Sequence, residues 1–222
     1  MSGQYVPGDF VDGERPLGRV PRTTQAVGPT AVTRVVAQRY GPPAAWWGWA
    51  AFIASEATLF GCLIGTYYYL RFNTPVWPPH GIPEPKVLVP LILVSCLAVT
   101  SVPMQLAAFA AKAGRLAAAR LFIVTALVVQ CGYFAYEIDD FRTQLHQFDV
   151  TRNAYSSIYY TLLGADHAHV FVGIVFNVFL LLKLSRGLTT YRLNAIQGVA
   201  FYWHAVNLIT FFVIGTLLSA TV

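Results

Sequence analysis

Charge is scarce in this sequence. Asp, Glu, Lys and Arg make up 11% of its 222 residues, against roughly a quarter in an ordinary soluble domain. That deficit argues against a chain built of soluble domains. Cysteine is also sparse: Cys62, Cys96 and Cys131 sit in three separate apolar runs, and no CxxC occurs. Neither a zinc site nor a disulfide framework is indicated, and the three are expected to be buried as small apolar groups. Residues 1–40 contain no apolar core of the length a cleavable signal peptide needs, so none is expected. No internal repeat is visible, which disfavours an inverted-repeat transporter. The basic residues, which give a net charge of +5, are split among short loops, so no nucleic-acid-binding face is expected.

Long apolar runs are what the sequence does have. Hydrophobic residues account for 56% of it, and the mean hydropathy is +0.54. Five runs, 46–70, 88–110, 116–137, 156–183 and 195–219, are long enough to cross about 30 Å of hydrocarbon at 1.5 Å per residue. The fold class is therefore all-α: a polytopic transmembrane bundle of five spans over residues 43–222. A tail, residues 1–42, rich in Gly, Pro, Arg and Thr, precedes it and is expected to be flexible. Prolines in "TPVWPPHGIPEP" block a helix between the first two spans. "AKAGRLAAAR" makes a tight turn, and "EIDDFRTQLHQFDVTRN" and "SRGLTTYRLN" read as polar connections.

Eleven of the fifteen Lys and Arg residues fall on one side. They are Arg15, Arg19, Arg22, Arg34 and Arg39 of the tail, then Lys112, Arg115 and Arg120, then Lys183, Arg186 and Arg192. The other side has Arg71, Lys86, Arg142 and Arg152. This bias places the N-terminus in the cytoplasm and the C-terminus outside. Trp46, Trp47 and Trp49 then mark the inner interface, and Tyr67, Tyr68, Tyr69 and Trp77 the outer one.

Polar residues at depth carry the functional information. Glu56 stands near the middle of the first span, where desolvation penalises an ionised carboxylate. A neutral acid, or one paired to His or Arg, is expected. Ser55 can bond to its own helix backbone, and Gly61 and Gly65 form a GxxxG pattern that permits a close helix neighbour. Glu56 reads either as a structural interhelical hydrogen bond or as a proton-handling group. Asp166 and His169 share a face of the fourth span. His167 lies about 200° around the helix from His169, so the two histidines cannot grip one metal ion. His204 and Asn207 share a face of the fifth span. These groups on three helices are expected to face one another, because an unpaired one would be costly in lipid. Asn177 reads as an interhelical hydrogen bond. Glu137, Asp139 and Asp140 read as an acidic rim where the third span exits, with Glu137 placed to pair with Arg71 at the helix ends.

Of the five histidines, only His169 and His204 stand on facing spans, as a bis-histidine haem would require; His80 and His146 lie in loops. No cofactor is expected in this chain. A proton- or solute-conducting protein acting alone, with Glu56, Asp166 and His204 along its path, is another reading of the same residues.

Taken together, the motifs resemble subunit III of the haem–copper respiratory oxidases, over most of residues 46–220. "FIASEATLFG" resembles the family's F-x-x-S-E-x-x-x-F helix and maps its buried Glu onto Glu56. "VWPPHGIP" resembles W-P-P-x-G-I, and "YEIDDF" resembles an acidic helix exit with Glu137 in the matching place. "YSSIYYTLLGADHAHVFVG" resembles Y-G-S-x-F-F-x-x-T-G-F-H-G-x-H-V-x-x-G, and "YWHAVNLITFF" resembles Y-W-H-F-V-D-x-x-W. The family's first His is Asp166 here, its next Gly is His167, and its Asp in the last helix is Asn207. Five spans rather than seven match the shorter bacterial form.

The resemblance implies a non-catalytic subunit in a bacterial plasma membrane, without a redox centre of its own. Haem and copper would belong to partner subunits. Subunit I would be the direct neighbour and subunit II would share the complex. Bound phospholipid and support of proton uptake into subunit I are also implied. The same fold would serve a nitric oxide reductase.

Overall fold

In the computed structural model, residues 44–82 and 87–221 are described. The tail 1–42 and Lys86 lie outside the described residues. Among the described residues regular structure is entirely helical: α1 Ala44–Phe72, α2 Leu88–Val99, α3 Ser101–Lys112, α4 Leu116–Gln147, α5 Ala154–Leu184 and α6 Thr190–Leu218, followed by a 3-10 turn, Ser219–Thr221. Taking α2 and α3 together as Leu88–Lys112, five helical stretches are long and apolar enough to cross a membrane.

Local chemistry sets the breaks. Pro103 has no N–H to give the carbonyl four residues earlier, and the helix is interrupted at Thr100, between α2 and α3. The Thr100 hydroxyl donates to the Leu97 carbonyl (2.5 Å) and accepts from the Trp203 indole N–H (2.7 Å). Gly114 and Gly187 take positive φ, +73° and +94°, at the turns closing α3 and α5, a region that favours a residue without Cβ. Asn153 caps α5 by accepting from the Ser156 N–H (2.8 Å), and Thr189 caps α6 by accepting from the Arg192 N–H (3.3 Å).

The third span is longer than expected. The residues read as a polar loop after Glu137 continue the helix to Gln147, so α4 has 32 residues and is about 48 Å long. Hydrogen bonds along this extension hold it: the Gln144 amide donates to Asp140, and the Tyr159 hydroxyl of α5 donates to Gln144 Oε1.

α6 is the central element and packs against α1, α2, α3 and α5; α4 packs against α2, α3 and α5. Among the described helices α1 touches only α5 and α6, and most of its surface is left open by them. Gly61 and Gly65 are exposed, and a Cβ at either would meet nothing within 4 Å, so they seat no helix among the described residues. Cys62, Cys96 and Cys131 are exposed, not buried: their helices turn other faces inward. Two of the rings expected at the interfaces pack against neighbours within the chain, Tyr67 buried and Trp49 half-buried. Tyr67 is fully buried and accepts from the Trp77 indole (3.0 Å). Trp49 wedges against Gly198, whose missing Cβ leaves room for the indole. Trp46 and Trp47 are exposed.

Candidate functional site: buried carboxylates and imidazoles on α1, α4, α5 and α6

α5 carries three ionisable residues within one turn, and each turns toward a different neighbour. His169 Nε2 stands 2.5 Å from Glu56 Oε2 of α1, with the two side chains 16% and 18% exposed. Its Nδ1 lies 2.7 Å from the Ala165 carbonyl. A carbonyl only accepts, so Nδ1 carries a proton. The Glu56–His169 contact therefore holds one proton, placed either on the carboxyl or on Nε2. The two arrangements differ only in which partner carries that proton, and neither requires a helix to move. Ser55, next to Glu56, donates to the Phe52 carbonyl (2.7 Å) of its own helix.

His167 points the other way. Its Nε2 is 3.0 Å from Glu137 Oε2 of α4, and Phe141 and Phe134 stand edge-on to its ring at 5.4 and 6.5 Å. Asp166 is 1% exposed and accepts from the Thr210 hydroxyl of α6 at 2.7 Å. Thus Glu56 and His169 meet directly, while Asp166 faces α6.

His204 and Asn207 do not face Glu56 or Asp166, contrary to expectation. His204 Nε2 donates to Gln105 Oε1 (3.1 Å), and the Asn207 amide donates to the Ser101 hydroxyl (2.6 Å), both on α3. The α5 side of α6 is already occupied by Thr210 and by Tyr202, whose hydroxyl donates to the His169 carbonyl (3.0 Å). The Arg71–Glu137 helix-end pair is not formed either. α4 runs on past Glu137, which leaves that carboxylate inside the bundle facing His167. Arg71 donates to Ser219 beyond the end of α6 (2.7 Å).

Besides Gln105 and Ser101, sequence reasoning passed over two fully buried partners. Gln130, fully buried on α4, accepts from the Asn177 amide (2.9 Å). Thr210 satisfies Asp166. Both were visible as polar residues inside apolar runs, and Gln130 is the more conspicuous, standing in "ALVVQCGYF".

Five membrane-length apolar helices, with ionisable side chains paired internally across them, define a multi-pass membrane helix bundle. The family model described as Cytochrome c oxidase subunit III matches residues 43–218, and the chain belongs to that family. It is 27% identical over 169 residues to the cytochrome c oxidase subunit 3 of Alkalihalophilus pseudofirmus, covering 75% of this chain and 82% of the relative. It is 26% identical over 170 residues to the quinol oxidase subunit 3 of Bacillus spizizenii, with coverage of 75% and 82%. A probable cytochrome c oxidase subunit 3 of Nocardia farcinica is 28% identical over 197 residues, with coverage of 84% and 94%.

Proposed function

We propose that this protein is the non-catalytic third subunit of a proton-pumping haem–copper terminal oxidase, packed laterally against subunit I in a complex that also contains subunit II. Family membership supports that placement. Relatives named for cytochrome c oxidases and for quinol oxidases are about equally similar, so the electron donor is set elsewhere in the complex. The redox centres belong to the partner subunits. His169, one of the two histidines on facing spans, has both ring nitrogens engaged, by Glu56 and by the Ala165 carbonyl. The charge bias of the loops supports an N-terminus in the cytoplasm and a C-terminus outside, in a bacterial plasma membrane.

The single observation that carries a role beyond packing is the Glu56–His169 contact. It is a one-proton pair on α1, the helix with the most open surface, and it fits a part in sustaining proton uptake by the neighbouring subunit. A bound phospholipid fits a groove of about 350 Å³. Its walls are Trp49, Phe176, Phe179 and Leu180, and its rim holds Lys183, which stands 5.4 Å over the Tyr191 ring. An acyl chain suits the walls and a phosphate suits the lysine.

The test is recovery of the tagged chain from native membranes, followed by a visible spectrum and by turnover measurements on Glu56→Gln. The expected result is a haem-bearing complex whose Glu56→Gln form assembles but loses activity sooner during turnover. A colourless homo-oligomer overturns the subunit reading. Normal assembly, rate and lifetime in Glu56→Gln overturn the proton role and leave Glu56 as a packing residue.

A further inference from the structure

Most polar pairs at depth in this bundle are sealed in. Asp166 with Thr210, Gln130 with Asn177 and Glu137 with His167 are all buried. The pair between α3 and α6 is not. His204 stands at the middle of α6 and Gln105 on α3, and both are only half-buried.

Each keeps one polar atom without a partner. His204 Nε2 donates to Gln105 Oε1 at 3.1 Å, so the neutral ring presents Nδ1 as a bare acceptor. The Gln105 amide nitrogen is a donor. Neither atom has a hydrogen-bond partner among the described residues, and neither is enclosed by them. His169, also part-exposed, differs in having both ring nitrogens engaged.

Apolar side chains flank the open pair. Val102 and Phe109 lie three residues before and four after Gln105, and Phe201 and Leu208 lie three before and four after His204. That spacing puts each trio on one face of its helix, and all four apolar side chains are exposed. Lipid covers hydrocarbon without cost, but it offers nothing to an imidazole acceptor or an amide donor. A polar side chain on another helix does. No Asp, Glu, Lys or Arg occurs in 88–111 or 193–218, so a charged group brought to this face would find no counter-charge.

We propose that the α3–α6 seam docks a transmembrane helix of a partner oxidase subunit, whose uncharged hydroxyl or carboxamide side chains meet His204 Nδ1 and the Gln105 amide. Apolar contact with Val102, Phe109, Phe201 and Leu208 surrounds that anchor. The inference rests on the subunit reading and uses neither Glu56 nor His169.

For the test, a photoreactive phenylalanine derivative replaces Leu208 or Val102 in the tagged chain. Native membranes are irradiated, the complex is purified, and adducts are identified by mass spectrometry. Both positions are expected to yield an adduct with another subunit of a haem-bearing complex. Gln105→Leu with His204→Phe leaves neither half of the pair unmatched within the chain, so the double variant is expected to accumulate in membranes at the parent amount. Its release from the complex in mild detergent is expected to be about threefold to tenfold faster, the effect of losing one interhelical hydrogen bond in a membrane. Adducts with lipid alone, or with a second copy of this chain, overturn the docking face. Partner adducts with unchanged release of the double variant overturn the hydrogen-bonded anchor, as does loss of the double variant from membranes, which would assign the pair to the chain's own folding. A colourless homo-oligomer overturns the subunit reading, and this proposal with it.

Discussion

His167 and His169 lie two positions apart on α5 and bond carboxylates on different helices: Glu137 of α4 at 3.0 Å and Glu56 of α1 at 2.5 Å. Successive helix positions turn by 100°, so side chains two apart point to nearly opposite flanks. One turn of α5 thereby gives an acid on each side of it an imidazole partner. The family pattern places its first imidazole one residue earlier; here Asp166 stands there, and His167 supplies the imidazole that faces α4.

Breaking the Glu137–His167 pair from either side is expected to cost more than removing both halves. Glu137→Leu and His167→Phe each leave one buried polar partner unmatched, a loss on the order of 1–3 kcal/mol. The double substitution is expected to recover part of that, with a coupling energy of about 0.5–3 kcal/mol. Thermal inactivation of the purified complex for the two single variants and the double variant measures it. Strict additivity would show that the two residues act separately.

Glu56→Ala is expected to reduce complex yield and thermal stability more than Glu56→Gln. Alanine strips His169 Nε2 of its partner in a site less than a fifth exposed, a penalty of about 1–3 kcal/mol. Glutamine offers an amide donor to the same nitrogen while Nδ1 keeps its bond to Ala165. The check is the yield of haem-bearing complex per membrane mass. Equal yields from the two variants would show that the pair contributes nothing to assembly.

Five apolar stretches, their order and the pairing of Glu56 with a basic or imidazole partner were legible in the sequence, because run length and the cost of a lone charge in lipid are local properties. The identity of partners was less so. His204 and Asn207 are placed by the packing of α6 against α3, and no spacing within one helix reports which neighbour lies beside it. The extension of α4 was missed for a related reason. "DDFRTQLHQ" is too polar for hydrocarbon, but polarity distinguishes water from lipid and not loop from helix. The three cysteines show the same limit in reverse: an apolar face of a membrane helix meets lipid as readily as core, so hydrophobicity alone does not place it inside.

Gln130 and Asn177 allow a cleaner test of buried hydrogen bonding, since both are fully buried and neither is ionisable. Gln130→Leu alone is expected to destabilise the bundle by about 1–3 kcal/mol, because the Asn177 amide loses its acceptor. Gln130→Leu with Asn177→Leu is expected to come back close to the parent. The midpoint of thermal aggregation in detergent reads this. A double variant no better than the single one would point to lost shape rather than lost hydrogen bonding.

Gly173 sets how closely α5 and α6 approach. A Cβ there would stand 2.5 Å from the Trp203 ring, and Trp203 is itself fully buried and tied to Thr100. Gly173→Ala is expected to cost about 1–3 kcal/mol by overpacking. Adding Trp203→Phe, which removes the clashing edge of the indole, is expected to restore part of the loss. Without such recovery in the thermal stability of the double variant, the cost lies in the helix backbone and not in the contact with Trp203.

Membrane orientation can be read separately from assembly. Eleven of fifteen Lys and Arg residues lie at the N-terminal tail, the α3–α4 turn and the α5–α6 turn, and translocation of such segments is disfavoured. A reporter enzyme that needs disulfides to fold is active only outside the cytoplasm. Fused after Thr74, after Asp149 or after Val222, it is expected to be active; fused after Gly114 or after Gly187, silent. The five positions alternate with successive crossings, so a helix that fails to insert would invert the result at the reporter after it and at every later one. Activity at Gly114 and Gly187 with silence at the other three would invert the whole topology.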